Sequence, residues 1–257
     1  MRSLRDVHRP AELEDAFERR PGPDPSARRQ PERVTLTCEH ASERLPAPWV
    51  WPIADRSLQG THWAHDLGAA ALTRELAQAL EAPAVLSRFT RLLADPNREE
   101  DHPDLFRRTA EGGRPVALNA RISAAEKERR LERTYRPFHA AIDAMVAASE
   151  APVLLSVHTF TPLYEGQPRA LELGVLYDRE DALGEAIDAR LRAAGFASRR
   201  NEPYSGKEGL IFSADLHATA HERRALELEV RQDLAVQPAF RTRFVAALVD
   251  ALAATLD

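Results

Sequence analysis

The sequence has only one cysteine, Cys38, and no apolar run that approaches the roughly 18 residues of a membrane-spanning helix. One cysteine cannot form an internal disulfide, and the first residues lack the basic-then-apolar order of a secretory leader. We therefore expect a cytoplasmic protein with no membrane span. Because its neighbour Glu39 is acidic and disfavours a thiolate, Cys38 is expected to be a small buried hydrophobic residue.

An excess of basic residues is also missing. The 35 lysines and arginines are interspersed among 40 aspartates and glutamates, and the formal net charge is −5. A nucleic-acid-binding surface needs clustered positive charge, so we exclude nucleic acid as a partner and expect a small molecule or a protein instead. The sequence also has no G-x-S-x-G motif, which argues against a serine hydrolase.

Residues 1–32 differ in composition from the rest of the chain. They contain much Arg, Pro, Asp and Glu and little to bury, which predicts a flexible leader with one short helix near Ala11–Arg19. No internal repeat and no second long linker divide the remainder. Residues 33–257 are therefore predicted to form a single domain.

Short apolar runs alternate with helical patterns along this predicted domain. The apolar runs predict strands at Val34–Cys38, Ala84–Ser87, Val153–Val157, Leu171–Tyr177 and Leu226–Val230. Ser123 with Glu126 matches a capping box at the start of a helix, and Pro238 begins the last helical pattern. The alternation predicts an α/β fold in which helices cover both faces of a central, largely parallel or mixed sheet.

Polar residues occur at or after the ends of several apolar runs, where ligand sites of α/β sheets form. These residues are His40, His158, Asp95, Asn97, Arg98 and Glu229. A single histidine is more often a hydrogen-bonded structural residue, but two histidines at two strand ends favour a metal site. Two imidazoles and one carboxylate form the protein ligands of a hydrolytic zinc site, which leaves one position for water.

The carboxylate of such a site has two candidates. Glu43 lies three residues after His40, which is the spacing seen in zinc carboxypeptidases, and Asp66 lies just before a predicted helix. His62 and His65 are also three residues apart, and a surface pair is at least as good an interpretation of them.

Glu229 and Arg98 have the chemistry of a base and of an anion-binding group. Glu229 is flanked by apolar residues, and burial would raise its pKa towards the range of a general base, although an ion pair with Arg231 is the alternative. Arg98 beside Asn97 offers a planar guanidinium that binds carboxylates through two hydrogen bonds, and a solvated arginine is the alternative.

The sequence resembles the N-formylglutamate amidohydrolase family from about residue 33 to residue 235. Seven segments keep the family order: TCEHASERLP, GTHWAHDLGAAAL, TRLLADPNRE, YRPFH, LLSVHTFTP followed by Arg169, NEPYS, and LELEVRQDL. The resemblance implies a zinc-exopeptidase-like, phosphorylase/hydrolase-like fold. Glu43 departs from the family pattern, in which a non-acid is usual, and so does His65, where tryptophan is common.

The resemblance also implies functional residues. It implies one zinc per chain held by His40, Asp66 and His158, and Glu229 as the general base. Substrate-binding residues would be Arg91, Asn97, Arg98, Arg169 and Tyr204. The implied substrate is a small acidic N-acyl amino acid, most simply N-formylglutamate or a related N-formyl or N-acyl amino acid, which is deacylated. Two alternatives are a carboxypeptidase-like hydrolase of another amide conjugate and a non-catalytic acyl-amino-acid-binding protein.

Overall fold

The computed structural model describes residues 16–24, 26, 28–164 and 166–256. Within these ranges a seven-stranded sheet forms the centre of the molecule, with the strand order β1-β3-β2-β4-β9-β7-β8. Its strands are β1 (Phe17–Arg20), β2 (Val34–Cys38), β3 (Ala84–Ser87), β4 (Val153–Phe160), β7 (Leu173–Leu176), β8 (Ser198–Arg200) and β9 (Arg224–Arg231). A separate hairpin consists of β5 (Leu163–Tyr164) and β6 (Gln167–Pro168).

The sheet is mixed, and its centre is parallel. Strands β3, β2, β4 and β9 run parallel, whereas β1 pairs antiparallel with β3 and β7 pairs antiparallel with β9. All residues of β2, β3 and β4 are buried, which explains their continuous apolar sequences, since strands covered on both faces do not alternate with polar residues. The five predicted strands are all present.

Helices cover both faces of this sheet, as predicted. They are α1 (Ala69–Ala79), α2 (Ala124–Arg130), α3 (Arg136–Ala147), α4 (Asp181–Ala193), α5 (Phe212–Ala220), α6 (Gln232–Ala235) and α7 (Pro238–Leu256). Apolar side chains of α1, α4 and α7 form one core cluster with the sheet, and those of α3 and α5 form a second one. No helix in the described ranges is both long enough and apolar enough to cross a membrane.

The predicted helix starts at Ser123 and Pro238 are confirmed. The Ser123 hydroxyl accepts a hydrogen bond from the Glu126 backbone N–H at 3.1 Å, and Pro238 is the first residue of α7. In a full capping box the Glu126 carboxylate would also accept the Ser123 backbone N–H. Here it accepts hydrogen bonds from Trp49 Nε1 at 2.6 Å and from Arg130 Nε at 3.0 Å instead. This carboxylate thus joins α2 to the loop after β2.

The helix predicted near Ala11–Arg19 is wrong at residues 17–19, although Ala16 is helical. Phe17–Arg20 is an edge strand that pairs with β3, and residues 11–15 lie outside the described ranges. The segment has no apolar run to signal a strand, and it is held by backbone pairing and by the Glu18 carboxylate, which binds Arg74 of α1 at 2.6 and 3.1 Å. These residues belong to the sheet rather than to a free leader; the domain division at residue 33 stays a prediction.

Candidate active site

Two histidines and one aspartate meet at the carboxyl ends of the central strands. His40 lies two residues after β2, His158 lies within β4, and Asp66 lies in the turn before α1. One nitrogen of each imidazole and one oxygen of the carboxylate all lie within 4.8 Å of one another, and all three residues are buried. The structure therefore brings together the three residues that the resemblance implied as metal ligands.

The turn that carries Asp66 has a single conformation. The Asp66 N–H donates to the His40 carbonyl at 2.9 Å, and the Asp66 carboxylate accepts the Thr159 N–H at 3.1 Å. Gly68 has a φ of +88°, and a Cβ there would lie 2.7 Å from the carbonyl carbon of Ala235. Only glycine fits this position, and the close approach holds Asp66 against the sheet.

Each of the two imidazole rings directs its Nδ1 atom towards Asp66 and its Nε2 atom towards another carboxylate. His158 Nδ1 lies 2.9 Å and His40 Nδ1 lies 3.5 Å from Asp66 Oδ2, while the Nε2 atoms face away. His40 Nε2 lies 2.7 Å from Asp95 Oδ1, and His158 Nε2 lies 3.1 Å from Glu39 Oε2. A ligating histidine in a metal site typically uses one nitrogen for the metal and the other for a carboxylate.

The donors of the triad fit a divalent transition metal. Two imidazoles and one carboxylate are a common set for zinc and similar ions. His40 Nδ1 is buried and has no hydrogen-bond partner among the described residues, which is otherwise an unfavourable arrangement for an imidazole nitrogen. A bound cation would satisfy this nitrogen.

Glu43 does not join the triad. Its carboxylate accepts a hydrogen bond from the Gly60 N–H and lies 3.8 Å from His65 Nδ1. Residues 41–46 are not helical, so the three-residue spacing does not place Glu43 on the same side as His40. His65 therefore faces Glu43, whereas His62 lines the cavity described below, and the two histidines do not form a surface pair.

Strand β9 brings two buried acids to the triad. Glu229 is paired with His158 in the parallel register of β9 and β4, and Glu227, two residues earlier, lies on the same face. Burial raises the pKa of Glu229 well above its usual range, and one of its oxygens has no hydrogen-bond partner among the described residues. Burial also raises the pKa of Glu227 to about 7, but this carboxylate lies 3.4 Å from Asn97 Nδ2 and 3.5 Å from His158 Nε2.

Three acids of the site were given no role in the sequence analysis: Glu39, Asp95 and Glu227. Although burial alone would raise it, hydrogen bonds from His158 and Ser156 lower the pKa of Glu39 to about 2. The spacing of Glu227 and Glu229 in one strand was a usable signal, because residues two apart share a face. Asp95 was noted after an apolar run, but its partner His40 and the partner His158 of Glu39 are distant in sequence, so the spacing did not reveal these contacts.

Among the residues implied as substrate-binding, Arg91 forms an ion pair with an acid of the protein itself. Its Nε and Nη2 atoms donate to Asp95 Oδ2 at 3.1 and 2.7 Å, and its Nη1 lies 3.6 Å from Asp66 Oδ1. Residues 91–93 form a turn, which places Arg91 beside Asp95. Arg91 therefore supports the triad through Asp95.

Asn97 is likewise engaged within the protein. Its amide nitrogen donates to the Leu210 carbonyl at 3.2 Å, and its amide oxygen accepts the Ser213 N–H at 3.0 Å. The side chain is buried, so it fixes the loop that precedes Arg98.

Arg98 and Arg169 are the implied substrate-binding cations without an acid within 4.0 Å in the described part of the chain. The Arg98 guanidinium donates to the Asn97 carbonyl at 2.7 Å and to no other acceptor in the described ranges. The Arg169 guanidinium lies 4.7 Å from the ring of Tyr164 and 5.5 Å from the rings of Phe160 and Tyr204. Neither guanidinium is paired with an acid in these ranges, and Arg98 lines the cavity described below.

The triad opens into a cavity of about 510 Å³. Its lining includes the triad, Glu227, Glu229, Arg98 and Tyr204, together with His62, Trp63 and Arg107 from other loops. A concave site that combines aromatic rings with a few converging charged groups is typical of a site for a small molecule.

Comparison with known proteins agrees with this architecture. A gene product of Agrobacterium tumefaciens has a crystal structure with a TM-score of 0.84 and 27% sequence identity, covering 96% of each chain. The N-formylglutamate amidohydrolase of Ralstonia eutropha has a TM-score of 0.66 and 20% identity, covering 94% of this chain and 98% of its own. No curated protein sequence was found to match. The sequence profile of the N-formylglutamate amidohydrolases matches residues 33–236. Because this match spans most of the sequence, the chain belongs to the N-formylglutamate amidohydrolase family of hydrolases.

Proposed function

We propose that this protein is a zinc-dependent amidohydrolase that removes the acyl group from an acidic N-acyl amino acid of the N-formylglutamate type. The observation that carries the proposal is the joint arrangement of the triad and Glu229. His40, Asp66 and His158 converge within 4.8 Å, and Glu229, one of whose carboxylate oxygens has no hydrogen-bond partner among the described residues, lines the same cavity. The proposal is further supported by membership of the amidohydrolase family.

The triad would hold the metal through His40, Asp66 and His158. When bound there, zinc supplies Lewis acidity, which polarises a carbonyl oxygen and makes a water molecule more acidic. Asp95 and Glu39 would keep the two imidazoles oriented, because Asp95 Oδ1 lies 2.7 Å from His40 Nε2 and Glu39 Oε2 lies 3.1 Å from His158 Nε2.

Glu229 would act as the general base. It accepts a proton from the attacking water while the water oxygen bonds to the acyl carbon, and it returns that proton to the amine nitrogen as the C–N bond breaks. Formate or another carboxylic acid leaves with the free amino acid. Glu227 is the weaker candidate, since its carboxylate is already engaged with Asn97 and faces His158 Nε2.

Arg98 and Arg169 would bind the carboxylates of the amino acid. N-formylglutamate has two carboxylates on the amine side of the scissile bond, and these two arginines are the implied cations without an acidic partner in the described ranges. Charge-assisted hydrogen bonds from guanidinium groups hold a carboxylate in one orientation, which places the acyl carbonyl at the triad.

The proposal is tested by metal content and hydrolysis measured on the same samples. The wild-type protein should contain about one zinc per chain and hydrolyse N-formylglutamate, and His40→Ala should lose both. Glu229→Gln should keep the zinc and lose roughly a hundredfold to ten-thousandfold in kcat.

Glu43→Gln is the matched control, because Glu43 is the candidate acid that lies outside the triad. It should keep both metal and turnover, and Asp66→Asn should lose the metal. No metal uptake by the wild type would refute the proposal. Metal and tight binding of N-formylglutamate without turnover would instead favour the non-catalytic alternative.

A further inference from the structure

The cavity is larger than the simplest substrate requires. N-formylglutamate has twelve non-hydrogen atoms, which fill about 360 Å³ even at the roughly 30 Å³ that one water molecule takes up in the liquid. The cavity holds about 510 Å³. Space for a further group of several atoms therefore remains when N-formylglutamate is bound.

A second cation lines this space. The Arg107 guanidinium lies 5.0 Å from the ring centroid of Trp63, and both residues line the cavity. Arg107 Nε donates to the Thr109 carbonyl at 3.1 Å, but its two terminal nitrogens have no hydrogen-bond acceptor among the described residues. The only acid within 4.0 Å in those ranges is the half-exposed Asp104, at 3.7 Å, which is beyond hydrogen-bond distance.

Arg107 and Trp63 reach the cavity from two different loops. The segment after Arg107 is closed by a bridge between Thr109 and Pro115 and by the Ala110 N–H, which donates to the Arg114 carbonyl at 2.8 Å. Trp63 comes instead from the loop before Asp66. Neither Arg107 nor Trp63 makes a ring or cation–π contact with the group around Arg169 in the described structure, and Arg107 and Arg98 both line the cavity.

We infer that the preferred substrate carries an anionic group on each side of the scissile amide, and that Arg107 binds the anion of the acyl half while Trp63 packs against the intervening carbon atoms. This inference rests on the proposed function, in which Arg98 and Arg169 bind the amino-acid half. A formyl group carries no anion, so it leaves this second cation without a charged partner in the substrate. An acyl chain of a few carbons that ends in a carboxylate uses both the spare volume and the unpaired guanidinium nitrogens.

The test compares three glutamate derivatives: N-formyl, N-butanoyl and N-succinyl. The last two have acyl chains of equal length and differ in the terminal carboxylate. We expect kcat/KM for the succinyl compound to exceed that for the butanoyl compound by about tenfold or more, which is the range for one hydrogen bond to a charged group. Equilibrium dissociation constants for the same compounds, measured by calorimetry with the metal-loaded Glu229→Gln full chain, or with the wild type where it shows no hydrolysis, should show the same preference.

Arg107→Gln should bring the succinyl-to-butanoyl ratio close to one, and Arg107→Lys should restore part of it. Arg108→Gln is the matched control, because Arg108 is the exposed neighbour and does not line the cavity. It should leave the ratio unchanged. Circular dichroism and thermal unfolding of each variant establish that the comparison is made on folded protein.

The outcomes distinguish the proposed amidohydrolase function from the proposed role of Arg107. Hydrolysis of the panel with the same ratio in wild type and Arg107→Gln would overturn the inference and leave the amidohydrolase function standing. No hydrolysis of any compound, together with a binding preference that Arg107→Gln abolishes, would overturn the function and support the anion-binding role of Arg107. Neither hydrolysis nor a binding preference would overturn both.

Discussion

Replacing Asp95 by asparagine should weaken metal binding and folding together. Four donors converge on this carboxylate: His40 Nε2 at 2.7 Å and the Asn97 N–H at 2.9 Å on one oxygen, and Arg91 Nε and Nη2 at 3.1 and 2.7 Å on the other. Although burial opposes ionisation, Arg91 and His40 hold the pKa of Asp95 well below its usual range, so the carboxylate is charged. Asparagine has a single amide oxygen, which can accept hydrogen bonds either from His40 and Asn97 or from Arg91. Its NH2 group then faces the donors of the other set.

Two magnitudes follow from this geometry. Removing one partner of a buried ion pair costs about 3–5 kcal/mol, so the free energy of unfolding of the metal-free Asp95→Asn protein should fall by that amount. Loss of the carboxylate behind a ligating histidine typically lowers metal affinity by about 10- to 100-fold. Urea unfolding in the presence of a chelator measures the first, and zinc competition with a chelator of known affinity measures the second.

The control is Asp215→Asn, whose solvent-exposed ion pair with Arg179 should contribute little to stability. Unchanged zinc affinity in Asp95→Asn would show that His40 does not depend on Asp95 for its orientation. Unchanged stability would show that Arg91 finds another partner without cost.

Two further predictions concern the fold. Burial and the neighbouring His217 lower the pKa of His139 from 6.5 to about 3, so the folded protein binds fewer protons than the unfolded chain between these two pH values. The contribution of His139 to the free energy of unfolding is therefore complete above pH 6.5. It falls by about 1.4 kcal/mol per pH unit as the pH drops from 6.5 towards 3. Urea unfolding of the chelator-treated protein at pH 7 and pH 5 should therefore show about 2 kcal/mol more loss in wild type than in His139→Gln, and equal losses would contradict the assignment. Gly174→Ala should lower the free energy of unfolding by roughly 1–3 kcal/mol or more, because the new Cβ would lie 2.1 Å from the Glu202 carbonyl oxygen; an unchanged thermal midpoint would contradict this close contact.

The parts of the fold that the sequence predicted are those determined by local patterns. The strands at Val34–Cys38 and Val153–Val157 are covered on both faces, so each is a continuous apolar run that is visible without any tertiary information. Edge strand Phe17–Arg20 has no such run, because its pairing with β3 supplies the stabilisation. Local sequence therefore identified the centre of the sheet and missed its edge.

The residues of the candidate site likewise divide into those that local sequence reveals and those that depend on tertiary contacts. Its histidines were recognisable because each follows or ends an apolar run, whereas the roles of Asp95 and Glu39 depend on contacts 55 and 119 residues away in sequence. Arg91 was expected to bind substrate, because sequence gives the chemistry of a side chain but not whether a neighbour already occupies it. The choice between Glu43 and Asp66 required the backbone conformation after His40, which no periodicity in that segment reveals.

The strand order has a consequence for how the chain folds during synthesis. Strand β9 is the last strand in the sequence, yet it lies between β4 and β7 in the sheet. Until Arg224–Arg231 has left the ribosome, both neighbours present unpaired edges, which are the parts of a nascent chain most prone to association with other chains. Because β9 also carries Glu229, a chain released before β9 is made has His40, Asp66 and His158 but lacks the acid that is paired with His158 in the sheet.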